Sequence, residues 1–288
     1  YNHPSVIVWG LSNELHQMTD EIFGLYSELY EIACKEDDTR LKTFADNQFY
    51  GRFLELPADV VGYNRYFGWY KDAGSAENFG EWLDLYHNEK EKRPVCLSEY
   101  GGGGAISQHK DNVDWESDID PVGVRHYENY QSQLHEILWK QFSVRKYLWA
   151  EFIWCMFDFA SYGRTEGDTK SLNDKGLCTR ERIPKDVYFF YKSVWSSEKT
   201  VYITERRHEF RACDVPFVKV YSNADAVELC INDVSHGRIS RCELPDNEST
   251  VFVWENIKIK PGTKNKICAK AYFSDGTSRT DYAFWTGK

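Results

Sequence analysis

Along the chain, apolar and polar positions fall into two textures. Up to about residue 197, short continuous apolar runs alternate with longer stretches of helical period; beyond it, apolar and polar residues alternate one by one. The first run, Val6-Ile7-Val8-Trp9, has the pattern of a strand buried on both faces, as in a parallel sheet. His3-Pro4 ends any helix before it. The chain turns polar directly after Trp9, so Ser12, Asn13 and Glu14 should emerge at the strand's carboxyl end. Residues 20–35 then place Ile22, Leu25, Tyr26, Leu29, Ile32 and Ala33 on one helical face, with Thr19 or Asp20 as cap.

The same unit recurs. Strands are predicted at Leu41–Phe44, ending in Ala45-Asp46-Asn47, and at Asp59–Tyr63, running into Asn64-Arg65-Tyr66-Phe67-Gly68-Trp69-Tyr70. A helix over 77–91 leads to a fourth strand, Val95-Cys96-Leu97, followed by Ser98-Glu99-Tyr100-Gly101. Gly101–Gly104 lacks a following Lys-Ser/Thr or a helix, so it reads as a mobile loop rather than a phosphate cradle. The acidic segment from Asp111 to Asp120 lacks the central glycine and terminal glutamate of a calcium loop and reads as solvated. A long helix over 124–142, a fifth strand over Tyr147–Phe157 and a closing helix over Ile183–Trp195, with Pro184 in its first turn, complete this part. From about residue 198, FVKVYSNADAVELCIND, VFVWENIKI and KICAKAYFSDGT alternate strictly between turn residues, the pattern of an immunoglobulin-like β-sandwich.

Composition narrows the picture. The net charge of −10, with no basic run, argues against a nucleic-acid partner. No window approaches about eighteen consecutive apolar residues, so no membrane span is expected. Aromatics at 16% suit either sugar-stacking surfaces or an aromatic core. The eight cysteines form no C-x-x-C pair and mostly lie in apolar runs, so they read as buried thiols.

Two carboxylates stand out. Glu14 and Glu99 each follow a strand's carboxyl end, the face on which alternating barrels build their sites. Two carboxyl groups about 5–5.5 Å apart are what a retaining glycosidase needs, one as proton donor and one as nucleophile. Metal binding is the competing chemistry, but only His16 lies in ligand spacing, so no metal ligand is assigned. Taken alone, Asn13 and Asn64 read equally as turn or cap residues, and Tyr66, Tyr70 and Trp154 as core.

SVIVWGLSNE, PVCLSEYG, FIWCMFDF and KGLCTRERIPK, in this order and spacing, resemble glycoside hydrolase family 2, the β-galactosidase and β-glucuronidase group, across residues 1–195. The resemblance implies an α/β fold, a (β/α)8 TIM barrel of which about strands 4–8 are present, over residues 1–197. An all-β immunoglobulin-like sandwich follows over 198–288. It also implies a general acid/base at Glu14, a nucleophile at Glu99, Asn13 on the sugar 2-hydroxyl, Tyr66 against the nucleophile and Trp154 against the sugar ring. Cys155 departs from the family, where Asn often follows the Trp.

The motif NRYFGWY at 64–70 and the pair Asn173-x-Lys175 resemble the sugar-recognition motifs of the β-glucuronidase branch. Lys175, with Asn173, Asn64 and Tyr70, would meet a sugar carboxylate with a cation and hydrogen-bond donors. The surrounding NDKGL and MFDF also resemble β-galactosidases, so galactoside and glucuronide stay level here. A β-mannosidase of the same barrel clan and a non-catalytic carbohydrate-binding or inactive fragment are the alternatives. With five strands where a barrel has eight, the chain reads as part of a larger enzyme, expected to be poorly stable alone because two sheet edges stay open. The partner expected is a carbohydrate, with no nucleic acid or membrane, and the full-length parent is expected to be a homo-oligomer. No cofactor is assigned, metal assistance from the missing half is left open, and so is the compartment, bacterial cytoplasm, periplasm or exterior.

Overall fold

The computed structural model describes residues 3–48 and 50–288; Tyr1, Asn2 and Phe49 lie outside the described residues. The chain divides into two compact units, one formed by the stretch up to Gly101 with Gln141–Trp154, the other by Gly102–Lys140 with Cys155–Lys288.

The first unit carries an all-parallel sheet of β1 (Val8–Asn13), β2 (Leu41–Asp46), β3 (Val61–Asn64), β4 (Val95–Tyr100) and β5 (Leu148–Ile153), in sequence order. Helix α1 (Asp20–Glu36) connects β1 to β2, and α2 (Phe79–Glu89) connects β3 to β4. Parallel neighbours joined in order by helices form the wall of a barrel of strands and helices. The Thr19 hydroxyl caps α1 by accepting from the Ile22 amide at 3.2 Å. Aromatic side chains fill the layer between sheet and helices: Phe67 stacks on Phe79 at 4.3 Å, and Phe142 meets the ring edges of Phe79 and Tyr100, each at 5.1 Å.

Two expectations change at the first strand. It starts at Val8 rather than Val6, and Ile7 is 70% exposed. On α1 only Tyr26 is buried, while Leu25, Leu29 and Ile32 stay exposed. The reason is shared: among the described residues β1 pairs only with β2, so nothing covers the apolar side chains on its far flank.

In the second unit, Gly102–Gly104 are buried, as is Gly101 in the first, so this run is not a mobile loop. A Cβ at Gly104 would lie 2.5 Å from the side-chain oxygen Oε1 of Gln131 and 2.8 Å from its Cβ, so close packing favours the glycine. The acidic segment is not fully solvated either. It contains a four-residue helix, α3 (Trp115–Asp118), capped by Asp114, and Asp118 is buried against Lys110. Helix α4 (Glu128–Phe142) and the hairpin of β6 (Phe159–Ala160) and β7 (Leu172–Asn173) follow. Helix α5 spans Asp186–Trp195, so Pro184 precedes it and the buried Lys185 takes the cap position.

Beyond α5 the strictly alternating segments form two sheets. One has β13 (Val251–Lys258), β10 (Asp214–Ser222) and β8 (Val201–Ile203); the other has β12 (Val234–Ser240), β11 (Ala226–Ile231), β14 (Lys264–Tyr272), β15 (Ser278–Gly287) and β9 (Phe210–Arg211). Inward residues from both, including Val218, Val220, Leu229, Phe252, Ile267, Ala269 and Trp285, share one core, the construction of a β-sandwich. All eight cysteines are free thiols, but only Cys96 and Cys178 are buried and Cys242 is exposed. No helix among the described residues is long and apolar enough to cross a membrane.

A Cβ at Gly176 would run into the backbone of Phe157, Asp158 and Cys178, whereas one at Gly24 in α1 meets nothing within 4 Å. Gly176→Ala should therefore lower stability by about 2 kcal/mol or more, and Gly24→Ala should raise it by about 0.5–1 kcal/mol, both read by thermal melting.

Candidate active site

The site residues of the first unit stand where consecutive parallel strands end. The β1–β2 register shifts between Gly10 and Asn13 and resumes with Asn13 opposite Ala45. The Glu14 amide then donates to the Ala45 carbonyl at 2.9 Å, so Glu14 is still held by β2 one residue past its own strand. Glu14 adopts φ 48°, a left-handed conformation that costs a non-glycine residue about 1 kcal/mol or more and clusters at functional sites. A second shift, between Tyr63 and Asn64, sets Asn64 opposite Glu99. The Arg65 amide donates to the Glu99 carbonyl at 2.9 Å and fixes that end in the same way.

Side chains join across these ends. The Asn64 amide nitrogen donates to Asn13 Oδ1 at 3.1 Å and to Glu14 Oε1 at 2.8 Å. Asn64 Oδ1 accepts from the Ser98 hydroxyl at 2.7 Å. The Tyr66 hydroxyl donates to Glu99 Oε2 at 2.5 Å, and Tyr70 meets the Tyr66 ring edge-on at 5.4 Å. Burial, with the Glu99 charge beside it, holds the Tyr66 phenol far above its ordinary value, so it stays a protonated donor. The Trp154 amide donates to the Tyr100 carbonyl at 3.0 Å, which places Trp154 just past the end of β5. Asn13, Glu14, Asn64, Tyr66, Tyr70, Glu99 and Trp154 all belong to this unit.

Asn173 and Lys175 belong to the other. Both are buried, and Asn173 Oδ1 accepts from the Lys175 amide at 3.1 Å. The turn between them is anchored through Asp174, whose carboxylate meets His126 Nδ1 at 2.7 Å and whose carbonyl accepts from Lys185 Nζ at 2.8 Å. Lys185 also holds Asp158 at 2.8 Å.

Sequence reasoning passed over Ser98, His126, Lys185 and Asp46. The first two carry no pattern of their own, whereas Asp46 closes a strand at its carboxyl end, as Glu14 and Glu99 do. Asp46 is fully buried; its Oδ1 accepts from the Gln48 amide at 2.8 Å, while Oδ2 has no hydrogen-bond partner among the described residues. Burial pushes its carboxyl up to about 6; the Glu14 charge adds to this, and the amides of Gln48, Asn47 and Leu15 oppose it.

One further cluster, Asp111, Glu205 and His208, has the donors of a metal site. There the Arg211 guanidinium pairs with Asp111 and sits 2.8 Å from Glu205, so a cation already answers the two carboxylates.

Parallel strands in barrel order, with paired carboxylates at their carboxyl ends, define a glycosidase type of barrel. Residues 1–200 match the family model described as glycosyl hydrolases family 2, TIM barrel domain, and the chain belongs to that family. Residues 215–279 match a domain of unknown function. A β-glucuronidase of Bacteroides fragilis is 36% identical over 264 residues, covering 91% of this chain and 36% of that protein. A putative β-glucuronidase of Formosa agariphila is 29% identical, covering 93% and 35%. Among solved structures, an FMN-binding β-glucuronidase from Facaelibacterium prausnitzii superposes with a TM-score of 0.86 at 33% identity, and a putative β-galactosidase from B. fragilis with 0.89 at 30%. Each comparison covers 100% of this chain and 42% of the other. The chain thus spans little more than a third of the length of these curated relatives.

A buried carboxyl whose pKa is raised on folding stabilises the native state below its unfolded value, near 3.8 here, and loses that contribution as pH rises through about 6. Asp46→Asn should therefore gain stability relative to the parent as pH rises from 4 to 7, by up to about 3 kcal/mol. Paired melting curves across that range check it, and a pH-independent difference would contradict it.

Proposed function

We propose that this chain carries the catalytic carboxylates of a retaining exo-β-glycosidase acting on terminal β-D-glucuronides. The observation that carries the reading is the pairing of each carboxylate with a neutral donor at the strand ends of one parallel sheet, Asn64 on Glu14 and Tyr66 on Glu99.

In this mechanism Glu14, protonated, gives its proton to the glycosidic oxygen while Glu99 attacks the anomeric carbon; the bond to the leaving group breaks and a glycosyl-enzyme ester forms. Glu14, now ionised, takes a proton from water, whose oxygen attacks the same carbon and releases Glu99. Two inversions give net retention. The Asn64 amide holds the Glu14 carboxyl in place through both steps. The Tyr66 phenol steadies Glu99 as it is released. Asn13 contacts the 2-hydroxyl, an interaction that strengthens in the oxocarbenium-like transition state. Trp154 offers its face to the sugar ring.

The choice of glucuronide rests on the names of the curated relatives and on the resemblance of Asn173-x-Lys175 to the sugar-recognition motif of the β-glucuronidase branch. The second reading, a β-galactosidase, is supported by the structural relative at TM-score 0.89 that bears that name.

The test compares kcat/KM for 4-nitrophenyl β-glucuronide and β-galactoside in the full-length protein that carries this sequence. The expected result is a glucuronide preference of about a hundredfold or more that Lys175→Ala largely erases, an amount in keeping with one buried ionic contact. Glu99→Ala should lose about a thousandfold or more in kcat on either sugar. A galactoside preference unchanged in Lys175→Ala would replace the first reading with the second, and wild-type turnover by Glu99→Ala would remove the mechanism.

A further inference from the structure

Ser98 stands one residue before Glu99 and does none of the chemistry assigned to the site, yet its hydroxyl is placed with unusual care. Tyr63 pairs with Leu97 and Asn64 with Glu99, so Ser98 is the extra residue of a bulge in β4. The bulge re-aims its side chain toward β3, where Gly62 leaves the room. A Cβ at Gly62 would lie 2.8 Å from Ser98 Oγ and 2.9 Å from Ser98 Cβ. In that space the hydroxyl donates to Asn64 Oδ1 at 2.7 Å.

The consequence follows from the shape of an amide. Its oxygen and nitrogen ends are nearly the same size, so partners alone decide which way it faces. The Ser98 donor claims the oxygen end of Asn64, which directs both hydrogens of Nδ2 to Asn13 Oδ1 at 3.1 Å and Glu14 Oε1 at 2.8 Å. Asn64 is buried, so no bulk solvent takes over the task of the hydroxyl. With the amide reversed, its oxygen would face the Glu14 carboxylate and repel its ionised form.

We infer that Ser98 is a positioning residue for the proton-transfer step, acting through Asn64 to hold the Glu14 carboxyl in place, with Gly62 keeping the space that its hydroxyl needs. This rests on the reading of Glu14 as general acid/base. Breaking the relay harms proton delivery, and proton delivery matters only where the leaving group is a poor one.

The experiment uses aryl and alkyl β-glycosides of the preferred sugar, with leaving groups ranging from dinitrophenol to a simple alcohol, in the full-length protein. Ser98→Ala should lose about tenfold to a hundredfold in kcat/KM with the alkyl glycoside and less than about threefold with the dinitrophenyl one, in the range of a lost general-acid contribution. The double variant Ser98→Ala/Asn64→Ala should be no worse than Asn64→Ala alone, because the two act as one unit. Equal losses across all leaving groups, or additive losses in the double variant, would overturn the relay, as would wild-type behaviour. Glu14→Ala is the separate control. If it shows no leaving-group dependence, the acid/base reading falls and takes the relay with it; if it does and Ser98→Ala does not, the relay alone falls.

Discussion

The site depends on main-chain hydrogen bonds that continue past the regular ends of parallel strands. The Glu14 amide on the Ala45 carbonyl and the Arg65 amide on the Glu99 carbonyl each hold a chain segment after its side chains have left the alternating pattern of the sheet. Without them, Glu14 at a positive φ would sit on a free loop and pay for its conformation with nothing in return. The register shifts on either side are the means: each lets a strand end turn while the ladder stays closed.

How much of this the sequence announces depends on the length scale of the signal. The strands were legible because short apolar runs interrupted by helical period have few other solutions, and Glu14 and Glu99 were legible because each follows such a run. Asn64 and Tyr66 came with the family resemblance. What stayed hidden is what depends on register. Ser98 and Asp46 look like any polar residue near a strand end, and only the pairing of Asn64 with Glu99 and of Asn13 with Ala45 shows what lies beside what. The stretch at Val6–Trp9 failed for a related reason. An apolar run says that a strand wants neighbours on both flanks, not that both are there, and Ile7 is accordingly exposed.

Around Lys185 in the second unit, buried charge orders the turns, while apolar packing forms the sandwich core. Lys185 is fully buried and meets the Gly104 and Asp174 carbonyls and the Asp158 carboxylate, three partners that together answer one ammonium. Asp158 nonetheless remains raised to about 6, because burial outweighs the attraction of Lys185. Glu128 and Asp186 share Arg207, and Asp186 accepts from Tyr202 at 2.6 Å on the first strand past α5. Lys185 is thus interior wiring, while Arg180 and Arg182 nearby are exposed. An apolar substitution of equal volume would tolerate several orientations of these turns, whereas hydrogen-bonded charges accept one.

Against that background, each proposed catalytic carboxylate accepts from a neutral donor, Glu14 from the Asn64 amide and Glu99 from the Tyr66 phenol. Asp37 in the same unit shows what a structural carboxylate receives: Thr39, Trp9 and Arg40 all donate to it and hold it far below the ordinary range, so it stays ionised at any pH of interest. A group that must carry a proton in one step and surrender it in the next cannot be held that way, because a guanidinium alongside would fix it in one state. The Asn64 amide orients the Glu14 carboxyl through one hydrogen bond at 2.8 Å. Glu99, the proposed nucleophile, must be aligned for its attack, and the Tyr66 phenol holds it by a hydrogen bond.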